Sequence, residues 1–219
     1  MDCRAHLTAI VLLLAVVAAN AQTSLRDSLQ LLNRQIAAQP ANTDARLRKA
    51  ALNISLGQWD YAIDEYGRVL DIDSANMAAY FYRAYAHNRL RHYDSARQDY
   101  EAMLRLMPRH YEAQLGLAVT LEKMERNADA LEELNKLVQA YPDSALAYAV
   151  RAELEEKSRM WDAAVFDWDE AIRRRPQADY FVAKARLLLK MNDRRQAKQV
   201  ISDAMKRGLP QAALRDWDK

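Results

Sequence analysis

From residue 43 onward, apolar side chains recur three and four positions apart in short blocks, and brief polar breaks separate the blocks. That spacing predicts amphipathic helices, not strands, which would alternate every second residue. Residues 43–76 show the pattern in full. Leu47, Ala50 and Ile54 share one face of a first helix, and Gly57-Gln58 interrupts it. Trp59, Ala62, Ile63, Tyr66 and Val69 then mark the inward face of a second. Ala50 and Ala62 are small where the two axes must cross, and a larger side chain at either would overpack the crossing. Asp60 is placed to cap the second helix, a feature that Asp94 and Asp162 repeat.

The block repeats. Pro40, Pro108, Pro142, Pro176 and Pro210 lie on a lattice of 34 residues, with Ser74 at the one site that lacks proline. Ala50, Ala84, Ala118, Ala152 and Ala185 form a second series, and Ala62, Ala96, Ala130, Ala164 and Ala197 a third; each steps by 34, 34, 34 and 33. Proline has no N–H and disfavours helix in the residue before it, so the first lattice ends each unit. A fixed period of this length predicts an all-α array in which each helix pair buries its apolar face on the next. A charge pair recurs too. Lys49/Glu65, Arg83/Asp99 and Arg151/Asp167 are each 16 apart and predict bridges between the two helices of a unit, whereas Leu117/Glu133 cannot bridge. Exposed pairs of this kind contribute about 0–1 kcal/mol each.

Small residues at repeat positions 8 and 20, aromatics at 17 and 24 (Trp59/Tyr66, Tyr93/Tyr100, Trp161/Trp168) and Pro at 32 resemble the tetratricopeptide repeat. The resemblance covers 43–210 as units 43–76, 77–110, 111–144 and 145–178, plus a fifth, 179–210, that lacks one residue in its first helix or turn. It implies a right-handed α-solenoid of stacked antiparallel helix pairs. The third unit has Asn127/Leu134 in place of the aromatic pair, so its two helices are expected to be the least tightly packed. Residues 22–42 read as a capping helix in front (Leu25, Leu29, Leu32, Ile36) and 211–219 as one behind, with Trp217 at an exposed end.

Residues 1–21 are a different object. Arg4 and His6 precede an uncharged apolar run of 13 residues, Leu7 to Ala19, and Ala19-Asn20-Ala21 is a small-x-small site. This is the layout of a secretory signal peptide cleaved before Gln22. The run falls short of the roughly 20 residues that span a bilayer, so no membrane span is expected in the mature chain. The expected location is outside the cytoplasm, periplasmic in a bacterial cell, or alternatively secreted or envelope-associated. Cys3 is the one cysteine and would leave with the leader, which removes disulfides and thiol chemistry from consideration.

Composition narrows the function further. Net charge is +2, from 32 basic and 30 acidic residues, so nothing points to a polyanion. Arg173-Arg174-Arg175 closes a helix, where positive charge complements the C-terminal dipole, and no nucleic-acid partner is expected. The related pentatricopeptide RNA binders have a period of 35, not the 34 found here. His87, His92 and His110 make no HxxxH or HExxH pair, and no phosphate-loop or nucleophile-elbow motif occurs. Glu132-Glu133 and Glu155-Glu156 are adjacent on helices and point apart. No cofactor, metal or catalytic residue is therefore expected.

By the family resemblance, repeat positions 2, 5, 6, 9, 12 and 13 line a concave groove. Mapped here, the candidate groove residues are Leu47, Arg48, Phe81, Tyr82, Tyr85, Asn88, Arg89, Leu115, Val119 and Glu122. Some family members clamp a peptide's carboxylates with Lys at position 5 and Asn at position 9. Those positions hold Leu47, Phe81 and Leu115, and Ala51, Tyr85 and Val119, so a carboxylate-clamp ligand is not expected. Tyr80 is expected in the core, while Tyr82 and Tyr85 fit groove or core equally. The reading is an exported, non-catalytic scaffold that holds a protein or peptide. The alternatives are a structural subunit of a cell-envelope complex and, last, an enzyme built between repeats.

Overall fold

A computed structural model describes residues 25–215 and 217–218; the leader read over 1–21 lies outside the described residues. Among those described there is no strand. The chain forms two compact units, one running to Asp99 and the other starting at Tyr100.

The first unit holds α1 (25–38), α2 (Thr43–Ser55), α3 (Trp59–Ile72), α4 (Met77–Arg89) and the start of α5 (Tyr93–Leu106). Helix α3 packs on α2 before it and α4 after it. The second unit holds the rest of α5, then α6 (Tyr111–Lys123), α7 (Asn127–Ala140), α8 (Ala145–Lys157), α9 (Trp161–Arg174), α10 (Ala178–Lys190) and α11 (Arg194–Lys206). From α6 to α11 each helix packs on the next in sequence.

The alanine lattices are the crossing points. Ala50, Ala62, Ala84, Ala96, Ala130, Ala152, Ala164, Ala185 and Ala197 have no solvent exposure. A further series, Ala45, Ala79, Ala113 and Ala147, is equally buried and is the third residue of α2, α4, α6 and α8. These alanines donate their N–H groups to the N-caps Asn42, Asn76, His110 and Ser144, at 2.9, 3.0, 3.3 and 3.2 Å. The real capping lattice therefore precedes the first helices. Asp60, Asp94 and Asp162, expected as N-caps of second helices, lie inside the first turn instead. Gln58 and Met160 hold the cap positions of α3 and α9 and make no side-chain bond. In the first turn the aspartates complement the helix dipole, and Asp94 also faces Arg97 at 3.8 Å.

Two other expectations need adjustment. The residue missing from the fifth unit is lost from the loop before α10, and Gln177, left in the cap position, makes no capping bond. The chain end forms a single 3-10 turn, Gln211–Leu214, not a helix to Trp217. One buried anchor, Leu214, holds that turn on the core beside Phe181 and Ile201, and Trp217 is half-buried against the same cluster. In the third repeat Leu134 is fully buried in place of an aromatic. Gly116 leaves room for the Tyr100 ring: a Cβ there would lie 2.4 Å from Tyr100 Cζ.

The repeated charge pairs bridge their helices. Lys49 meets Glu65 at 2.8 Å, and Arg83 and Arg151 each grip their aspartate with two nitrogens. Arg46, not anticipated, joins Glu65 at 2.8 Å. The carboxylates are buried, with the Asp167 side chain only 1% exposed, so these are not surface pairs. Burial opposes the charge on Glu65, yet its hydrogen bonds to Lys49 and Arg46 hold the carboxyl below its ordinary value. Where a pair exists, the residue four positions beyond its cation is polar: Asn53, His87 and Glu155. Where the pair is broken, the same site is Leu121 or Leu188, both buried. The seam is polar or apolar as a set.

Candidate functional site

The sequence-derived candidates fall on both units. Seven lie in the first. Leu47 comes from α2 and Tyr82 from α4, and the two line one recess with Ala51, Ile54, Tyr66 and Ala78. Tyr66 is the buried aromatic of α3, and Tyr82 stacks on it with centroids 6.0 Å apart and planes at 18°. Phe81 meets the Tyr82 edge at 5.3 Å. Tyr85 stands edge-on to Trp59 at 5.9 Å, and the Arg89 guanidinium lies over the same indole at 5.1 Å. Each exposed aromatic of α4 thus rests on one aromatic of α3, so both alternatives for Tyr82 and Tyr85 are half right: one side is packed, yet 46% and 40% of each residue stays exposed. Tyr80 is half-buried against the core, and Asn88 is half-buried.

The recess has a volume of about 230 Å³. That is below the range of roughly 300–1,000 Å³ typical of small-molecule sites and suits one inserted side chain. Burial, with the neighbouring Tyr82, raises the Tyr66 phenol above its already high value, so it stays neutral.

Arg48 lies across Ala51 from Leu47 on α2. It lines a second recess of about 420 Å³ with Ser28, Leu31, Leu32 and Gln35 of α1 and Ala51, Leu52 and Ser55 of α2. Sequence reasoning missed this α1 contribution because it treated α1 purely as a cover. The signal was available in Leu31, an apolar residue off the buried stripe that remains 56% exposed.

The remaining three candidates belong to the second unit. Leu115, Val119 and Glu122 form one stripe of α6, each half-buried, and Glu122 pairs with Lys157 of α8. A matching pair joins Glu156 to Lys190 of α10. Among the described residues, no group of His, Cys, Asp and Glu is arranged to hold a metal, and no helix is long and apolar enough to cross a membrane.

Helix pairs in series, crossing at buried alanines and leaving first-helix side chains at the surface, define an all-α repeat scaffold. Residues 54–108 and 89–154 each match a sequence profile of the tetratricopeptide repeat. Sperm-associated antigen 1 of Rattus norvegicus is 33% identical over 101 residues, 46% of this chain but 11% of that protein. Its Homo sapiens counterpart is 32% identical over 108 residues, 49% of this chain and 12% of that protein. Solved structures share the fold at low identity. PilF of Pseudomonas aeruginosa has a TM-score of 0.67 at 18% identity, covering 92% of each chain. YrrB, described as a TPR protein with an unusual peptide-binding site, has a TM-score of 0.61 at 19% identity over 84% of this chain and 95% of its own.

Proposed function

We propose that this chain is an exported, non-catalytic scaffold that captures a segment of another protein on the first-helix face of its N-terminal unit. The observation that carries the reading is the recess between Leu47, Ala51 and Ile54 on one side and Tyr66 and Tyr82 on the other. It is apolar and sized for one side chain; Tyr82 lines it, Tyr85 is exposed three residues further along α4, and their rings are already fixed by Tyr66 and Trp59. Rigid aromatic anchors cost little entropy on binding and commonly dominate interface energetics. The peptide-binding site of YrrB is consistent with this use of the fold. Export rests on the leader-like layout of residues 1–21. Replacing Tyr82 and Tyr85 together by Ala is expected to abolish capture of the partner in an affinity pull-down from the envelope fraction. Helicity and melting temperature should stay nearly unchanged; a large fall in stability would return both residues to the core.

A second reading, a subunit of an envelope assembly, is favoured by large apolar side chains exposed on second helices. Tyr61 of α3 is 65% exposed and Phe166 of α9 is 60% exposed. Under that reading Tyr61→Ser and Phe166→Ser would disrupt a complex seen by size-exclusion chromatography with light scattering, and the Tyr82/Tyr85 variant would not.

A further inference from the structure

We infer that the α1–α2 recess is a second anchoring point on the same face, and that the two recesses together take one partner segment bearing two large apolar side chains and a carboxylate. This rests on the protein-binding reading above and specifies the ligand's chemistry. Ala51 lines both recesses, so they adjoin across a single small residue of α2, and an occupant of both must be elongated. The first recess is walled by Leu47, Ile54 and Tyr82, the second by Leu31, Leu32 and Leu52. Each therefore selects an apolar side chain.

The second recess adds polarity of one kind. Among the described residues lining the two recesses, Arg48 is the one that carries a charge. It gives one nitrogen to Asp44 at 2.7 Å, but the two side chains are 58% and 74% exposed. Such a solvated pair is weak and leaves the other donors of the guanidinium fork for an incoming carboxylate. The uncharged Gln35 and Ser28 line the same recess and add no second charge. Apolar walls and a single cation describe an acidic–apolar peptide better than a basic or purely apolar one.

The test is to pan a random-peptide phage library on the purified protein and to measure the selected peptides by fluorescence anisotropy. Selected sequences are expected to carry Asp or Glu beside two large apolar residues. Arg48→Glu should weaken them by about tenfold or more and shift selection toward Lys and Arg. Leu31→Arg should abolish binding. Both side chains are largely exposed, so circular dichroism melts should be unmoved. Peptides that need Tyr82 and Tyr85 but ignore Arg48→Glu and Leu31→Arg would overturn the second recess while leaving the first. Failure to select any peptide would overturn both. A dimer in light scattering that Leu31→Arg dissolves would replace the partner segment with a second copy of the chain.

Discussion

The residue closing each first helix takes a left-handed conformation: Gly57 at φ 70°, Arg91 at 63°, Glu125 at 60°, Arg159 at 60° and Asn192 at 62°. The N–H one residue further on returns to a carbonyl five residues back, as in His92 to His87 at 2.8 Å, so the turn is a Schellman closure repeated down the chain. A non-glycine residue there costs about 1–2 kcal/mol, partly offset by the greater freedom glycine has in the unfolded chain. Arg91→Gly, Glu125→Gly and Arg159→Gly are therefore each expected to raise stability by about 0.5–1 kcal/mol in urea unfolding, and Gly57→Ala to lower it by about 1 kcal/mol. Open space surrounds Gly57, so that loss would be conformational and not steric. Gly116 is the opposite case. Gly116→Ala drives a methyl into Tyr100 and should cost about 1–3 kcal/mol, with part recovered when Tyr100 is shortened to Leu in a double-mutant cycle. Gly57 was legible as a breaker because a turn needs it. The need for Gly116 was not, because the ring it accommodates comes from the preceding helix pair.

At the scale of the helix pair, the alanine and proline lattices were readable because each repeats one residue type. The capping lattice was missed because Asn42, Asn76, His110 and Ser144 share a role but not a chemistry. The buried seam has a consequence for pH. Glu155 of α8 is buried beside Asp167 of α9, with Arg151 on its own helix; burial, reinforced by Asp167, pushes its carboxyl up to about 7 against the pull of Arg151. Its folded pKa thus exceeds the ordinary 4.5, and the folded state holds the extra proton between those values. The second unit should be most favoured below about 4.5 as far as this group is concerned and lose stability as pH rises through 7. Glu155→Gln should remove that slope and gain about 1–3 kcal/mol at pH 8, measured by denaturant midpoints across pH.

For the whole molecule, the leader reading predicts that protein recovered from an expressing cell's envelope fraction begins at Gln22, which intact mass spectrometry would check. Retention of residues 1–21 in the recovered protein would overturn it. The period of the chain, the helix pairs and their crossing residues followed from sequence alone, because helix geometry and turn chemistry are set by neighbours within a few positions. Tertiary structure alone decided which first-helix side chains remain at the surface. Tyr82 and Tyr85 stay half-exposed, since the side of each ring that is covered depends on Tyr66 and Trp59 in the preceding helix. It also decided that α1 supplies half a recess, because the gap between α1 and α2 is a property of two surfaces meeting and leaves no mark in the pattern of either.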